Sequence, residues 1–507
     1  MTRLLFRRAA LAGVALLPLA PVSAETLREA LAKAYANNPT LTAQRAAQRA
    51  TDENVPIARS NGLPSLAASG TATENAIQAN NNFLNPERLA NSQLQLSVPL
   101  YQGGAVRNAV RAAETRVESG QATLRNTEAN TFVNVVAAYM NVIRDEAIVG
   151  LNQQNVRVLD VNLNASRDRF QVGDLTRTDV AQSEARLALA RAQLQSAEAQ
   201  LISSRENYIA VVGAPPVALE QPPALPNLPA SPAAAVDTAL DRNPQLLAAR
   251  KAADATRFDI DVARAGRRPR VAAVTTGTYF NYLGSVPAVA NGQRVPGSGT
   301  AVTTGLQLSL PLFQGGAPAA RVRQAEAGRS QAIEQLTGAE RAVISQTRSA
   351  YAIWQSAQQV IASSETAVNA NKLSLEGVRA ENSVGTRTIL DILNAEQELL
   401  NSQVTLVTAR RDAYVAGFAL LAAMGNAEAR DLNLEGTTLY DPTTNYKRVR
   451  RRFNDFGDDG EPEPLATSTR ATPAQTATVS GPLDPMLDTD VDRSPGLTTG
   501  ASSPNRQ

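Results

Sequence analysis

Two stretches of the chain alternate apolar and polar residues with a period of two. Leu94, Leu96, Val98 and Leu100 interleave with Gln93, Gln95 and Ser97, and Leu306, Leu308, Leu310 and Leu312 interleave with Gln307 and Ser309. Successive side chains of an extended chain point to opposite faces, so both stretches read as strands with one apolar and one polar face. Weaker alternation at about 63–73 and 270–282 gives each a partner, with Asn-, Gly- and Pro-rich loops at about 74–92 and 283–301. Four strands are predicted.

The rest reads as helix. After Gln102-Gly103-Gly104 the chain from Ala105 to Phe170 has no proline, only Gly120 and Gly150 as glycines, and apolar positions at helical spacing. At 1.5 Å per residue such a segment is a rod of ~100 Å. A second helix carries Val180, Leu187, Leu194, Leu201 and Tyr208 every seven residues, and a later one Ile392, Leu399, Leu406, Ala413 and Leu420. Small residues lie three positions on, at Ser183, Ala190, Ala197 and Ser204, and at Ala395, Ser402, Ala409 and Ala416. Large residues on one seam with small ones beside them suit closely packed coiled coils. Periodicity alone fits a soluble antiparallel coiled coil equally well.

These elements occur twice. Residues 94–104, ending Pro99-Leu-Tyr-Gln-Gly103-Gly104, return at 306–316, ending Pro311-Leu-Phe-Gln-Gly315-Gly316, an offset of 212. The same offset relates Val172-Gly173 to Val384-Gly385, Asp179 to Asp391, Glu184 to Glu396, and Val212-Gly213 to Met424-Gly425. Asn38-Pro39 pairs with Asn243-Pro244. The expected organisation is therefore a repeat over 25–213, a Pro-rich linker over 214–232, a second repeat over 233–425, a short segment over 426–440 and a disordered tail over 441–507.

Composition adds export and removes most chemistry. Arg3, Arg7 and Arg8 precede an apolar run from Ala9 to Ala20 and a Val22-Ser23-Ala24 cleavage pattern, so residues 1–24 read as a secretory signal. Its removal takes away three arginines and moves the formal charge from +2 to −1. No basic surface for nucleic acid is then expected, and the run Lys447–Arg452 reads as a solvated, unstructured stretch. The chain has no Cys and no His, which closes disulfides, thiol catalysis, the usual zinc sites and Ser-His-Asp relays. No cofactor, metal site or enzymatic activity is expected, and Asp/Glu pairs fall at ordinary helical spacing. Beyond the signal no run is long and apolar enough for a membrane helix, so a span would have to be built from strands.

Four amphipathic strands cannot close a barrel, and lipid-facing open edges are costly. Copies of the chain would have to share one barrel, and three copies, giving twelve strands, leave more room for a lumen than two. The competing reading is a small sandwich capping the helices.

At these residues the chain resembles the TolC family of outer-membrane efflux and type I secretion proteins. The carriers are the duplicated Pro-Leu-(Tyr/Phe)-Gln-Gly-Gly turns and the motifs Val172-Gly173-Asp174-Leu175-Thr176-Arg177-Thr178-Asp179-Val180 and Val384-Gly385-Thr386-Arg387-Thr388-Ile389-Leu390-Asp391-Ile392-Leu393-Asn394-Ala395-Glu396. The resemblance implies a mainly α protein with a small β part: a homotrimer whose twelve-stranded barrel in outer-membrane lipid continues into a periplasmic coiled-coil tunnel. It further implies an exit duct served by a periplasmic adaptor and an inner-membrane pump or ABC transporter. The turns at Val172-Gly173 and Val384-Gly385 would form the inner, adaptor-docking end.

The resemblance also implies a gate there. Asp391 matches an acidic constriction residue, while Asn394 stands where the family has a second acid. Arg387 and Thr178 match a pair tying neighbouring helices in the closed state, and Asp179 matches the acceptor of a second tie whose usual tyrosine donor is here Asn382. A ring of carboxylates would draw cations, and mutual repulsion would raise its proton affinity. The residues themselves leave open that Thr178, Asp179 and Asp391 simply begin helices.

Overall fold

The computed structural model describes residues 24–77, 85–286, 289–290, 293–294, 296–432, 434, 439–479 and 483–488. The signal segment before Ala24, parts of both strand-connecting loops and the tail beyond 488 lie outside the described residues.

In chain order the elements are α1 (Leu27–Asn37), α2 (Pro39–Asp52), α3 (Asn54–Ser60), β1 (Ser65–Glu74), β2 (Arg88–Tyr101), α4 (Ala105–Gln171), α5 (Arg177–Val212), α6 (Pro232–Arg242) and α7 (Pro244–Ala265). There follow β3 (Arg270–Asn281), β4 (Val289–Ala290), β5 (Gln293–Arg294), β6 (Ser298–Ser309), α8 (Ala317–Ser383), α9 (Ile389–Ala423) and α10 (Thr443–Val449). α4 and α8 have 67 residues each. The repeats differ where α2 and α3 stand against the single α7. Pro56 lacks an N–H and crowds the carbonyl four residues back, which breaks the helix near Glu53.

The four long strands form one antiparallel sheet in the order β1-β2-β3-β6, and β4 pairs with β5 in a small separate hairpin. The register sorts the sheet into two faces. Leu66, Leu96, Thr275 and Thr304 share a row, as do Ala68, Leu94, Gly277 and Val302. Val98, Ala273 and Leu306 continue that apolar face. Ser97 and Val274, then Ala67, Gln95, Thr276 and Thr303, then Ser69, Gln93 and Thr278, form the other. Both faces are open to solvent in the isolated chain, with Leu94 51%, Val302 70% and Leu306 74% exposed. β1 and β6 are free edges.

The strands depart from the expected pattern at one end. Leu100 falls in a bulge between Pro99 and Tyr101, so Tyr101, not Leu100, pairs across with Val271 and joins the apolar face with Leu308. β6 stops at Ser309, opposite the first residue of β3, so Leu310 and Leu312 have no strand left to pair with. β2 runs on to Tyr101 beyond Ser65, the first residue of β1, and there pairs with β3 alone. The strands also start earlier than expected, at Arg88 and Ser298, which shortens both loops.

The two larger apolar clusters among the described residues line the helical body. One gathers Leu31, Tyr35, Phe132, Tyr139, Leu201 and Tyr208 around α1, α4 and α5, and the other joins Leu159, Leu163, Leu187, Ile392, Leu399 and Leu406 nearer the helical tips. The duplicated Asn-Pro pair has a clear structural role. Asn38 Oδ1 accepts from Thr40 N and Leu41 N at the start of α2, while its Nδ2 donates to Val211 O at the end of α5, at 2.8 Å. Asn243 repeats this with Gln245 N, Leu246 N and Ala423 O, again at 2.8 Å. One side chain thus caps a helix start and satisfies the orphan carbonyl of a helix end.

The tail departs from the expectation of disorder from 441 onward, and Lys447–Arg452 is not an unstructured run. Asp441 accepts from Thr443 N at 2.8 Å and starts α10, and Asn445 Nδ2 donates to the buried Asp52 at 2.8 Å. Further on, Arg205 donates to the carbonyls of Thr476 and Thr478, Gln403 donates to Leu487 O at 2.8 Å, Arg410 pairs with Asp484 at 2.7 Å, and Leu487 is 2% exposed. The polar composition hid this because the rods supply the donors and a few leucines suffice as anchors.

Candidate functional site at the helical tips

Each long helix ends in a glycine turn. Val172 and Val384 are the capping residues just past the ends of α4 and α8, and both are exposed, 81% and 74%. Gly173 and Gly385 follow at φ 85° and 80°, a left-handed conformation that side chains resist. Thr176 and Thr388 then open α5 and α9. Asp179 Oδ2 accepts from Thr176 N at 2.9 Å and Thr176 Oγ1 at 2.7 Å, and Asp391 Oδ2 accepts from Thr388 N at 3.0 Å and Thr388 Oγ1 at 2.8 Å. Both acids are the third residues of capping boxes.

This placement has an electrostatic consequence. Hydrogen bonds from the Thr388 backbone and hydroxyl, with the Arg387 charge adding a smaller effect, hold the Asp391 carboxyl below the usual carboxylate range. The protomer's own donors therefore oppose the upward shift that a carboxylate ring would impose.

Arg387 and Asn382 lie at the second tip. Arg387 Nε donates to Glu381 Oε2 at 2.7 Å, and that bond, with the Glu381 charge and then Asp391, raises the guanidinium further. Asn382 Nδ2 donates to Arg387 O at 2.8 Å and closes the turn. Thr178 is exposed on the first tip. Within the chain Arg387 is bonded to neither Thr178 nor Asp179; it turns to Glu381 instead.

Asn394 is engaged by a residue that the sequence did not single out. Arg186 Nη2 on α5 donates to Asn394 Oδ1 on α9 at 2.8 Å, which links the two repeats just above the tips. Ion pairs also join the helices within each hairpin: Arg167 with Glu184 at 3.3 Å and, 212 residues on, Arg379 with Glu396 at 2.5 Å. Burial pushes the Glu396 carboxyl up, and Arg379 opposes it. The repeat of Arg167 at Arg379 was a readable signal, whereas the Arg186–Asn394 pairing had none.

At the other end of the rods, Gly103 and Gly104 have φ 64° and 86°, and Gly315 and Gly316 have 58° and 82°. A Cβ at Gly103 would lie 2.8 Å from Arg268 Cβ and 2.9 Å from Ala265 O, so only glycine lets the two repeats meet there. Pro99 precedes the β2 bulge and Pro311 lies past the end of β6. Among the described residues no cluster of acids could hold a metal.

The model of the outer membrane efflux protein family matches residues 30–214 and 235–426, one segment for each repeat. The chain belongs to that family. It is 33% identical over 443 residues to the outer membrane efflux protein BepC of Brucella suis biovar 1, covering 87% of this chain and 94% of that one. It is 28% identical over 472 residues to outer membrane protein TolC of Escherichia coli, covering 90% and 94%. The fold is also that of the outer membrane protein VceC from Vibrio cholerae, with a TM-score of 0.66 at 23% identity over 79% of this chain and 96% of that one. Membership decides between the two sequence readings. The protein is an outer-membrane efflux or secretion channel extending into the periplasm, not a free-standing coiled coil, and its family is one of transport ducts.

Proposed function

We propose that three copies of this chain close a twelve-stranded barrel in the outer membrane and continue it as a periplasmic tunnel, gated at the helical tips and docked there by an adaptor that connects to an inner-membrane pump or ABC transporter. The observation that carries this reading is the sheet: four strands with one aliphatic and one Gln/Ser/Thr face, ending in two unpaired edges. Pairing β1 of one copy with β6 of the next satisfies both edges and puts the polar face on water and the aliphatic face on lipid. Ile353 and Leu373, 58% and 70% exposed on α8, supply apolar surface for a neighbouring copy.

At the tips, Asp391 forms the constriction ring with Asn394 one turn above it. Arg387, Thr178, Asp179 and Asn382 hold adjoining tips together, and the exposed Val172-Gly173 and Val384-Gly385 turns meet the adaptor. Closure exchanges Glu381 for a neighbour's groups as the partner of Arg387. The full chain, purified from outer membranes, should run as a heat-sensitive trimer, and Arg387→Ser and Asp179→Ala channels should conduct more than wild type in planar bilayers. Monomers without conductance would refute the barrel, and unchanged conductance in both variants would refute the gate.

A further inference from the structure

The level at which the sheet leaves lipid can be read from the register. On the aliphatic face, Tyr279 lies near one end and Tyr101, placed there by the bulge, at the other opposite Val271. The eight residue steps from Val271 to Tyr279 span ~26 Å of strand, comparable to the ~25 Å apolar band between the aromatic girdles of outer-membrane barrels. Tyr101 and the 89% exposed Phe313 therefore mark the periplasmic interface.

Just past this level the surface becomes strongly basic. Arg107 and Arg111 lie one turn apart on α4, ~3 and ~9 Å from its start. Arg59 lies on α3, six residues before β1. The C-terminal segment returns to this place: Arg59 Nη1 donates to Arg450 O at 3.3 Å, and Tyr446 Oη donates to Glu114 at 3.2 Å. Together Arg59, Arg107, Arg111, Arg450 and Arg451 surround an open recess of about 490 Å³ floored by Val55 and Val110, with Glu114 as its one carboxylate.

Five cations facing one acid are unusual on a chain near neutrality, and they stay uncompensated. Arg448 and Arg452, from the same basic run, turn away to Asp459 at 2.6 and 3.1 Å. Arg450 lies against the Tyr446 ring, 5.7 Å from its centroid. Among the described residues Arg107, Arg111 and Arg451 have no carboxylate at ion-pair distance. A guanidinium fork matches phosphate oxygens, and the half-buried Val110 beside them suits the glycerol of a lipid.

We propose that this recess binds the headgroup of an anionic phospholipid in the periplasmic leaflet of the outer membrane. The inference rests on the sheet being the membrane-spanning part. It also explains why the C-terminal segment docks where it does, since Arg450 and Arg451 complete a site that α3 and α4 only begin. Arg323, the repeat of Arg111 on α8, extends the basic belt into the second half.

The test titrates the detergent-purified full chain with phosphatidylglycerol or phosphatidylethanolamine and counts bound lipids by native mass spectrometry, in wild type and Arg107→Gln/Arg111→Gln. Wild type should prefer phosphatidylglycerol, and high salt should weaken the preference. Each arginine near an anionic surface is worth about fivefold, so the double variant should lose about 25-fold. Equal binding of the two lipids, or a preference unchanged in the double variant, overturns the proposal. Displacement of phosphatidylglycerol by millimolar inorganic phosphate overturns it in favour of a soluble anion. Heat-sensitive trimers and conductance are measured on the same samples, so a barrel that fails to form is recognised separately from a site that fails to bind.

Discussion

Removing the Arg186–Asn394 bond should loosen the entrance, and its size follows from its setting. The bond is 2.8 Å long and joins α5 to α9 at the surface above the tips, with Asn394 exposed and Arg186 half-buried. An exposed charge-assisted contact of this kind contributes about 0.5 kcal/mol. In a trimer whose tips part together, three such bonds sum to ~1.5 kcal/mol, which is about tenfold in the open population. Arg186→Gln and Asn394→Ala should each raise the open probability of single channels by about this factor, and the double variant by no more than either alone. Asn394→Asp, which offers a carboxylate to the same guanidinium, should close the channel more tightly. Multiplying effects in the double variant would mean that the two residues act separately, and the bond would not be part of the gate.

Asn243→Ala should cost ~2–4 kcal/mol, because it removes a helix cap and leaves Ala423 O without its buried donor; Asn243→Ser keeps a capping hydroxyl but not the donor and should cost less, as denaturant unfolding would measure. Burial, with Glu428 adding to it, raises the Glu128 carboxyl, although the Ala429 N–H opposes the shift. Its stabilising contribution is thus complete below the unfolded value of about 4.3 and is lost as pH rises through the raised folded value. Glu128→Gln should melt higher than wild type at pH 8 and with it at pH 4 in thermal scans; a difference that does not vary with pH would contradict the shift. Asp391→Asn should reduce cation over anion permeability, whereas Asp179→Asn, which disturbs the same kind of cap, should leave selectivity unchanged in reversal-potential measurements.

The duplication at 212 located the strands, the rods and both tips, because each depends on local chemistry: alternation, the absence of proline, and glycines where the backbone turns left-handed. The bulge at Leu100 was not legible, since the alternation of Leu94 to Leu100 runs straight through it and only the pairing with β3 shows the shift. Nor was Arg186–Asn394, a contact between residues 208 apart with no shared pattern. The tail misled for a different reason. Its composition is that of disorder, but a segment docked on a preformed scaffold needs little apolar area of its own, and Leu487 with the donors of Lys372 and Gln403 provides enough.

The tips carry two demands on one side chain. Asp391 accepts from the N–H and the hydroxyl of Thr388, the residue that caps α9, and that bonding commits Oδ2 while lowering the proton affinity of the carboxyl. A ring of three such carboxylates pushes the other way, since neighbours of like charge favour the protonated form. The capping box therefore helps the proposed constriction stay charged where repulsion would neutralise it. Asn394 lowers the same cost by placing an amide, not a second acid, one turn above the ring, where it is held by Arg186. A gate with one carboxylate per protomer, each fixed by its own helix, retains its attraction for cations over a wider range of acidity than a doubled ring would.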